Sequence, residues 1–544
     1  MFGRTCTAPT TWTLDLTGTK YLSNHSIRIA NTGNADIVNP WVVANDTGNW
    51  FDTTSTLKET VGTGLTQQLQ AYAIWQLMCA NTYNWSPPEA YDEMHSPVKI
   101  LNVYGYGLCD DIARVSECLY NKSGMTQARI WDLFGHVVTD VYYNSSWHML
   151  DADLGVFYPK RDNLTAASVT DCANDGWLVS RVSGDAIAQL YTTKSNNSGA
   201  QGQWSTDHTM AMRLRPGESL ERYYTNWGKY HDIWDHLEPP EYGNGLHVYA
   251  PDLSGNTFLD GFYDIADLET TDSSSGKPNV HLAPGATSGE LACELYCPYA
   301  YVGGRVTMKG VVPVDGDQIQ VMFSKDKVAW NTVGTLTKGF PGEQSFSLDS
   351  GIATSSSTAC YRFYVKFRLL SPTANQDLGL NALAVAGEIQ CAPRALPSLV
   401  HGQVNPIAVS FNPVPDARLA VELRWHEEPG VDMTGVPAYP ISPPNGLKVP
   451  TLTPILSWQS RAPDDPEVWR ELVVSWDAKG IRPVSPALMF KGSSTNSWQV
   501  PAGWLLNGKT YYWHVREFTE ENPWSATWSF TVDTTSGVGD WKQY

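Results

Sequence analysis

Residues 104–158 read YGYGLCDDIARVSECLYNKSGMTQARIWDLFGHVVTDVYYNSSWHMLDADLGVFY, and the rest of the chain is organised around them. Ile112, Ala113, Val115, Cys118 and Leu119 recur largely at spacings of three and four, so an amphipathic helix begins at or just before Cys109. A thiol at a helix N-terminus meets backbone N–H groups that have no partner inside the helix, and those donors favour a thiolate and can hold an oxyanion. Cys109 is therefore the candidate nucleophile. The period then changes: residues 135–143 have strand composition, Asn144-Ser145-Ser146 is a turn, and residues 147–151 read as the returning strand. Pairing those strands sets His136 and Asp151 near each other, the arrangement in which a carboxylate orients an imidazole that serves a nucleophile.

This segment resembles the core of the transglutaminase-like superfamily, a branch of the papain-like thiol fold, in which a Cys opens a helix, a His follows on a strand and an Asp sits on the next. The resemblance implies Cys109, His136 and Asp151 as the catalytic residues, with Asp140 as the acidic residue four after the histidine and Trp147 as the tryptophan before the aspartate. Cys109 departs from many members in being followed by Asp110 and Asp111, whose charge opposes a thiolate unless they point outward.

Two alternatives stay open at this point. His148 is the rival imidazole, and Asp153 lies close enough to compete with Asp151 for the orienting role. Upstream, Gly105 and Gly107 allow a sharp turn that exposes the thiol, and Asn102, Tyr104 or Tyr106 could supply a donor to the oxyanion.

At 544 residues the chain is too long for one core and is expected to divide into several domains. A net charge of -19 excludes the positive footprint that nucleic acid or an anionic membrane surface requires. Charged residues are only 17%, while 22 Trp and 26 Tyr indicate a β-rich chain with many rings for cores, interfaces or sugar stacking. No apolar run reaches transmembrane length, and the opening MFGRTCTAPT is not of signal-peptide type. Glycosylation sequons begin at Asn24, Asn45, Asn84, Asn121, Asn144, Asn163 and Asn196, which fits a secreted or extracellular protein. Nine cysteines permit several disulfides and one free thiol, for which Cys109 is the choice.

The expected architecture is a multidomain α+β protein, a transglutaminase-like core with accessory antiparallel β-sandwich domains. In order, residues 1–60 form a β-rich lead-in and 61–260 the catalytic core, in which 66–79 make a supporting helix. An accessory sandwich with strands at 304–308, 319–323 and 361–367 covers 261–395, a Pro-rich connector with some β structure covers 396–448, and a sandwich resembling fibronectin type III covers 449–544.

Substrate contacts are expected from Tyr104, Tyr106, Trp147 and His148, and from a polar and aromatic stretch at 204–249 containing Trp204, Arg213, Arg215, Tyr223, Trp227, His231, Trp234 and His236. Guanidinium groups grip carboxylates and rings stack on sugars or apolar chains. His231 and His236 with Asp232 and Asp235 match no compact metal motif, so no metal or other cofactor is expected. Three functions follow: a cysteine hydrolase or acyltransferase acting on an amide-type bond, a polysaccharide-degrading hydrolase or lyase on the same scaffold, or a noncatalytic binding protein. The partner is an extracellular protein or polysaccharide in each case.

Overall fold

The computed structural model describes the chain apart from residues 20–21, 89–90, 126, 163, 181–182, 184, 194–206, 233–236, 272–275, 340–341, 353–357, 428–437, 461–468, 479–483, 485–487, 492–495, 519–523 and 535–544. It is a multidomain α+β protein with several β-sheets. The chain separates into two compact units, one of Met1–Thr56, Trp85–Tyr106 and Thr206–Glu427, the other of Leu57–Asn84, Gly107–Ser205 and Glu428–Tyr544. Among the described residues, no helix is long and apolar enough to cross a membrane.

The first unit is built on antiparallel strands whose alternating burial fixes their register. Glu218–Tyr223, for example, buries every second residue. Strands drawn from distant segments join one sheet in the order Phe2–Cys6, Leu419–His426, Ser23–Asn31, Glu218–Tyr223, Gly243–Tyr249, Gly379–Cys391, Ser288–Val311, Cys360–Leu370, Gln318–Ser324 and Asn331–Thr337. Thr10–Asp15, Ile37–Ala44 and Val404–Asn412 pair in a second sheet with Arg213–Leu214. Residues 1–44, 213–249 and 404–426, read from sequence as lead-in, catalytic core and connector, thus supply strands to shared sheets. The expected strands at 304–308, 319–323 and 361–367 lie in the same large sheet and form no separate one.

The strand Ser288–Val311 breaks its register around Pro298, which has no N–H to give a ladder. Its first part pairs with Cys360–Leu370 and its second with Gly379–Cys391. Tyr301 crosses the sheet there, over Gly387, where a Cβ would stand 2.2 Å from its ring. The Tyr301 hydroxyl reaches His247 Nδ1 at 2.6 Å, His247 Nε2 lies 3.0 Å from Glu218, and Glu218 also accepts from Arg215 Nη2 at 2.9 Å. Burial works against the Glu218 carboxylate, but His247 and Arg215 outweigh it and hold its pKa down to about 2. Its stabilising contribution is therefore full above the ordinary value of 4.5 and is lost as pH falls through about 2. Glu218→Ala is expected to cost about 3–5 kcal/mol by stranding the buried Arg215 guanidinium, read as a lower denaturation midpoint for this unit at neutral pH.

The second unit carries the quoted stretch. Helix Gln67–Asn81 is capped by Thr66, whose Oγ1 accepts from Leu69 N, and packs on helix Cys109–Lys122 through Tyr120 Oη donating to Ala71 O at 3.4 Å. A three-stranded antiparallel sheet follows, Ala128–Leu133, His136–Tyr143 and Ser146–Met149. The first turn between these strands uses Gly135 at φ 69°, and the second uses Asn144 and Ser145, both in the left-handed region that a tight hairpin demands. Short helices Val169–Asn174, Trp177–Ser180 and Asp185–Thr192 cover the sheet around a core that includes Met149, Tyr158, Leu178 and Tyr191. The C-terminal residues form a β-sandwich of a five-stranded and a three-stranded sheet around buried Trp458, Trp504 and Trp513.

None of the nine cysteines is disulfide-bonded, so the disulfides expected from their number do not form here. Most of the thiols, Cys293, Cys297 and Cys391 among them, are instead small apolar groups packed in cores.

Candidate active site

Cys109 is the first residue of its helix and is half-buried, so its thiol keeps access to solvent. The two aspartates that follow separate in role. Asp111 turns back and accepts from Leu108 N at 2.9 Å, which spends its charge on an orphan donor of the helix start. Asp110 instead adds its negative charge to the surroundings of Asp153.

His136 stands at the start of its strand, immediately after the Gly135 turn, and Thr139 of the same strand donates to Ala113 O at 2.8 Å. That bond fixes the strand against the Cys109 helix. The hairpin register runs from Tyr143 opposite Ser146 to Asp140 opposite Met149, and Leu150 N continues it to Thr139 O. Asp151 therefore arrives on the face shared by Val138 and His136.

His136 Nε2 lies 2.6 Å from Asp151 Oδ2. An ionised carboxylate only accepts, so the ring donates from Nε2 and leaves Nδ1 for the thiol. Burial opposes the charged imidazole, but the bonds and charges of Asp151 and Cys109 outweigh it and push the His136 pKa up to about 10. Asp151 itself is held from every side. Its Oδ1 accepts from Asp153 N at 2.9 Å and Leu154 N at 3.1 Å, and its backbone carbonyl accepts from Trp75 Nε1 at 2.8 Å.

Tyr191 completes this shell and went unrecognised in the sequence. Its hydroxyl donates to Asp151 Oδ2 at 2.5 Å, and its ring meets His136 edge-on at 5.8 Å. It sits on helix Asp185–Thr192, far along the chain, and only the apolar spacing of that helix gave any signal. If Asp151 orients His136 as a base, Tyr191→Phe is expected to lower kcat about tenfold with little change in KM, since it removes one charge-assisted donor from that carboxylate. Steady-state kinetics on any substrate the wild type turns over would check this.

Asp153 does not replace Asp151 but stands beside it. One of its carboxylate oxygens, Cys109 Sγ and a ring nitrogen of His136 all lie within 4.8 Å of one another. Asn84 Nδ2 donates to both Asp153 oxygens, at 2.8 and 3.0 Å. Burial, and then the Asp151 charge, push the Asp153 pKa up to about 6 against the pull of Asn84 and His136.

The other expected site residues are not gathered here. His148, the rival imidazole, is buried, stacks on Tyr143 at 3.8 Å, and is bonded to Ala166 O at 2.7 Å and Tyr143 O at 3.1 Å. Asp140 accepts from Arg129, Trp131 and Val169 N, and the Arg129 guanidinium lies 3.9 Å over the Trp147 ring, so both residues brace the sheet.

Tyr104, Tyr106, Arg213, Arg215, Tyr223, Trp227 and His231 belong to the first unit. Tyr104 is buried with its hydroxyl on Glu93 and His231, Tyr106 is buried and accepts from Gln390, and Arg215 is enclosed by Glu218, Gly261 O and Glu294 O. For these buried groups packing and hydrogen bonding account for the side chain. Arg213 is exposed and pairs with Asp36, while exposed Trp227 meets half-buried Tyr223 edge-on at 5.5 Å. Trp204, Trp234, Asp235 and His236 lie outside the described residues.

No family model matches the chain, and no curated protein matches it. Solved structures give weak likenesses. The adhesin domain of Epf from Streptococcus pyogenes is 10% identical, with 57% of this chain and 88% of that one covered at a TM-score of 0.15. A β-glucuronidase from Bacteroides uniformis is 11% identical, with 45% of this chain and 26% of that one covered at 0.12. A β-1,2-glucanase from Parabacteroides distasonis is 13% identical, with 57% and 36% covered at 0.14. At such scores the likenesses carry no argument.

Proposed function

We propose that this protein is a cysteine hydrolase, resembling the transglutaminase-like enzymes, that acts on an amide-type bond of an extracellular substrate. The observation that carries the reading is the series from the Cys109 thiol through His136 to Asp151, locked by Tyr191 and two backbone donors. In this reading His136 already holds the Cys109 proton on Nδ1 as an imidazolium, and the thiolate attacks the carbonyl carbon. Backbone N–H groups at the start of the Cys109 helix hold the oxyanion. The imidazolium then protonates the departing amine, and water, activated by the neutral ring, cleaves the thioester. Asp151 keeps Nε2 protonated throughout, so that Nδ1 is the atom that cycles. Water is favoured over an amine acceptor because no second binding groove is needed for it.

A second reading is a polysaccharide-active enzyme on the same scaffold. It takes support from the exposed Trp227 and its partner Tyr223, a ring pair suited to stacking on sugar. The two readings separate in mass-resolved assays of the whole protein on peptide amides and on neutral and uronic polysaccharides. Released amine, with an acyl adduct on Cys109, is the expected result. Saturated or unsaturated oligosaccharides that persist in Cys109→Ala would overturn the thiol mechanism in favour of acid/base chemistry at a glycosidic bond. No turnover of any of these substrates would count against both readings and favour a binding protein.

A further inference from the structure

The mechanism above uses Asp151 and leaves Asp153 without a task, although its carboxylate is held within 4.8 Å of both the Cys109 sulfur and a His136 ring nitrogen. A thiolate, an imidazole and a carboxylate are the three ligand types zinc accepts most readily, at about 2.3, 2.0 and 2.1 Å. Tetrahedral bonds of those lengths place ligand atoms about 3.3–3.8 Å apart, so closing this group on an ion asks for side-chain movements on the order of 1 Å.

The supporting groups have the pattern of a metal site as well. Asp151 grips the far nitrogen of His136 at 2.6 Å, the carboxylate–histidine pairing that orients a ligating ring, and Asn84 holds Asp153 through both oxygens. Three protein ligands leave the fourth position for water.

We propose that Cys109, His136 and Asp153 bind a zinc-class divalent ion, and that occupation of this site switches the thiol centre off. The ion takes the sulfur as thiolate and His136 through its neutral Nδ1. One proton leaves per ion bound, whether the pair starts as thiol and imidazole or as thiolate and imidazolium. With the sulfur lone pair and Nδ1 both engaged, neither attack nor proton transfer is available. Inhibition rests on the acyl-transfer reading; ion binding does not.

The test uses the whole protein stripped by a chelator and dialysed against zinc chloride, with Cys109→Ala and Asp153→Asn in parallel and folding checked by circular dichroism. Wild type is expected to retain one zinc per chain that both variants lose, with affinity reduced more than about 100-fold. Cobalt in place of zinc is expected to give a thiolate-to-metal charge-transfer band that vanishes in Cys109→Ala. Amide turnover is expected to fall in proportion to zinc bound and to return with chelator. Zinc retained equally by wild type and both folded variants would overturn the site. So would Cys109-dependent turnover that stoichiometric zinc leaves unchanged, and in that case the hydrolase reading stands. Zinc bound with this residue dependence, in a protein that turns over no amide, would uphold the site and remove the hydrolase reading.

Discussion

Cys109→Ala is expected to abolish amide turnover, by about a millionfold where the assay can follow it, while leaving the fold intact. The scale is that of an enzyme losing a nucleophile that works as one unit with its base. His136→Ala should lose nearly as much alone, and the double variant little more, because neither group acts without the other. The cost to folding is small because the sulfur is half-buried at a helix start and its replacement opens no core cavity. Single-turnover kinetics with intact-mass detection of the acyl-enzyme check both points. A folded Cys109→Ala protein with turnover within tenfold of wild type would remove Cys109 from the chemistry.

Much of this site was legible because its parts are local. The Cys109 helix follows from apolar spacing, and the Asn144-Ser145 turn fixes a hairpin register that brings Asp151 toward His136. What stayed hidden depends on where side chains turn. Asp111 looked like a threat to a thiolate, yet it caps the helix through Leu108 N, a choice made by geometry within one turn. Asp151 and Asp153 looked like rivals, and both face the site with different partners. Tyr191 had no local mark because its partner lies 40 residues away.

The large sheet was illegible for the same reason on a longer scale. Alternation identifies Phe2–Cys6 as a strand, but nothing in it names Leu419–His426 as the neighbour. Polar and aromatic richness was equally ambiguous, since Arg215, Tyr104 and His231 carry the composition of a binding groove and are spent on buried hydrogen bonds.

Asp151→Asn is expected to lower kcat about ten-thousandfold with nearly unchanged geometry, a loss of the scale seen when the orienting carboxylate of a catalytic triad becomes an amide. The four donors around this carboxylate leave no harmless place for an NH2 group. Turned toward Oδ1, the amide nitrogen would face the N–H groups of Asp153 and Leu154. Turned toward Oδ2, it faces Tyr191, which can rotate its hydroxyl, and His136, which can only invert its tautomer. The second arrangement is less costly. It puts the His136 proton on Nδ1, toward Cys109, where the ring cannot take the thiol proton.

The pH profile separates this from a merely structural defect. In the wild type the imidazolium, supported by Asp151 and Cys109, persists until pH rises through about 10, so kcat/KM is expected to fall on an alkaline limb near that value. Asp151 also stabilises the folded protein through this pair, fully below the ordinary histidine value of 6.5 and with loss as pH rises through about 10. Without the carboxylate the limb should move down toward the ordinary histidine value of 6.5, and residual turnover should shrink most above neutrality. A variant with kcat within tenfold of wild type and an unmoved alkaline limb would show that Asp151 orients nothing that matters to the reaction.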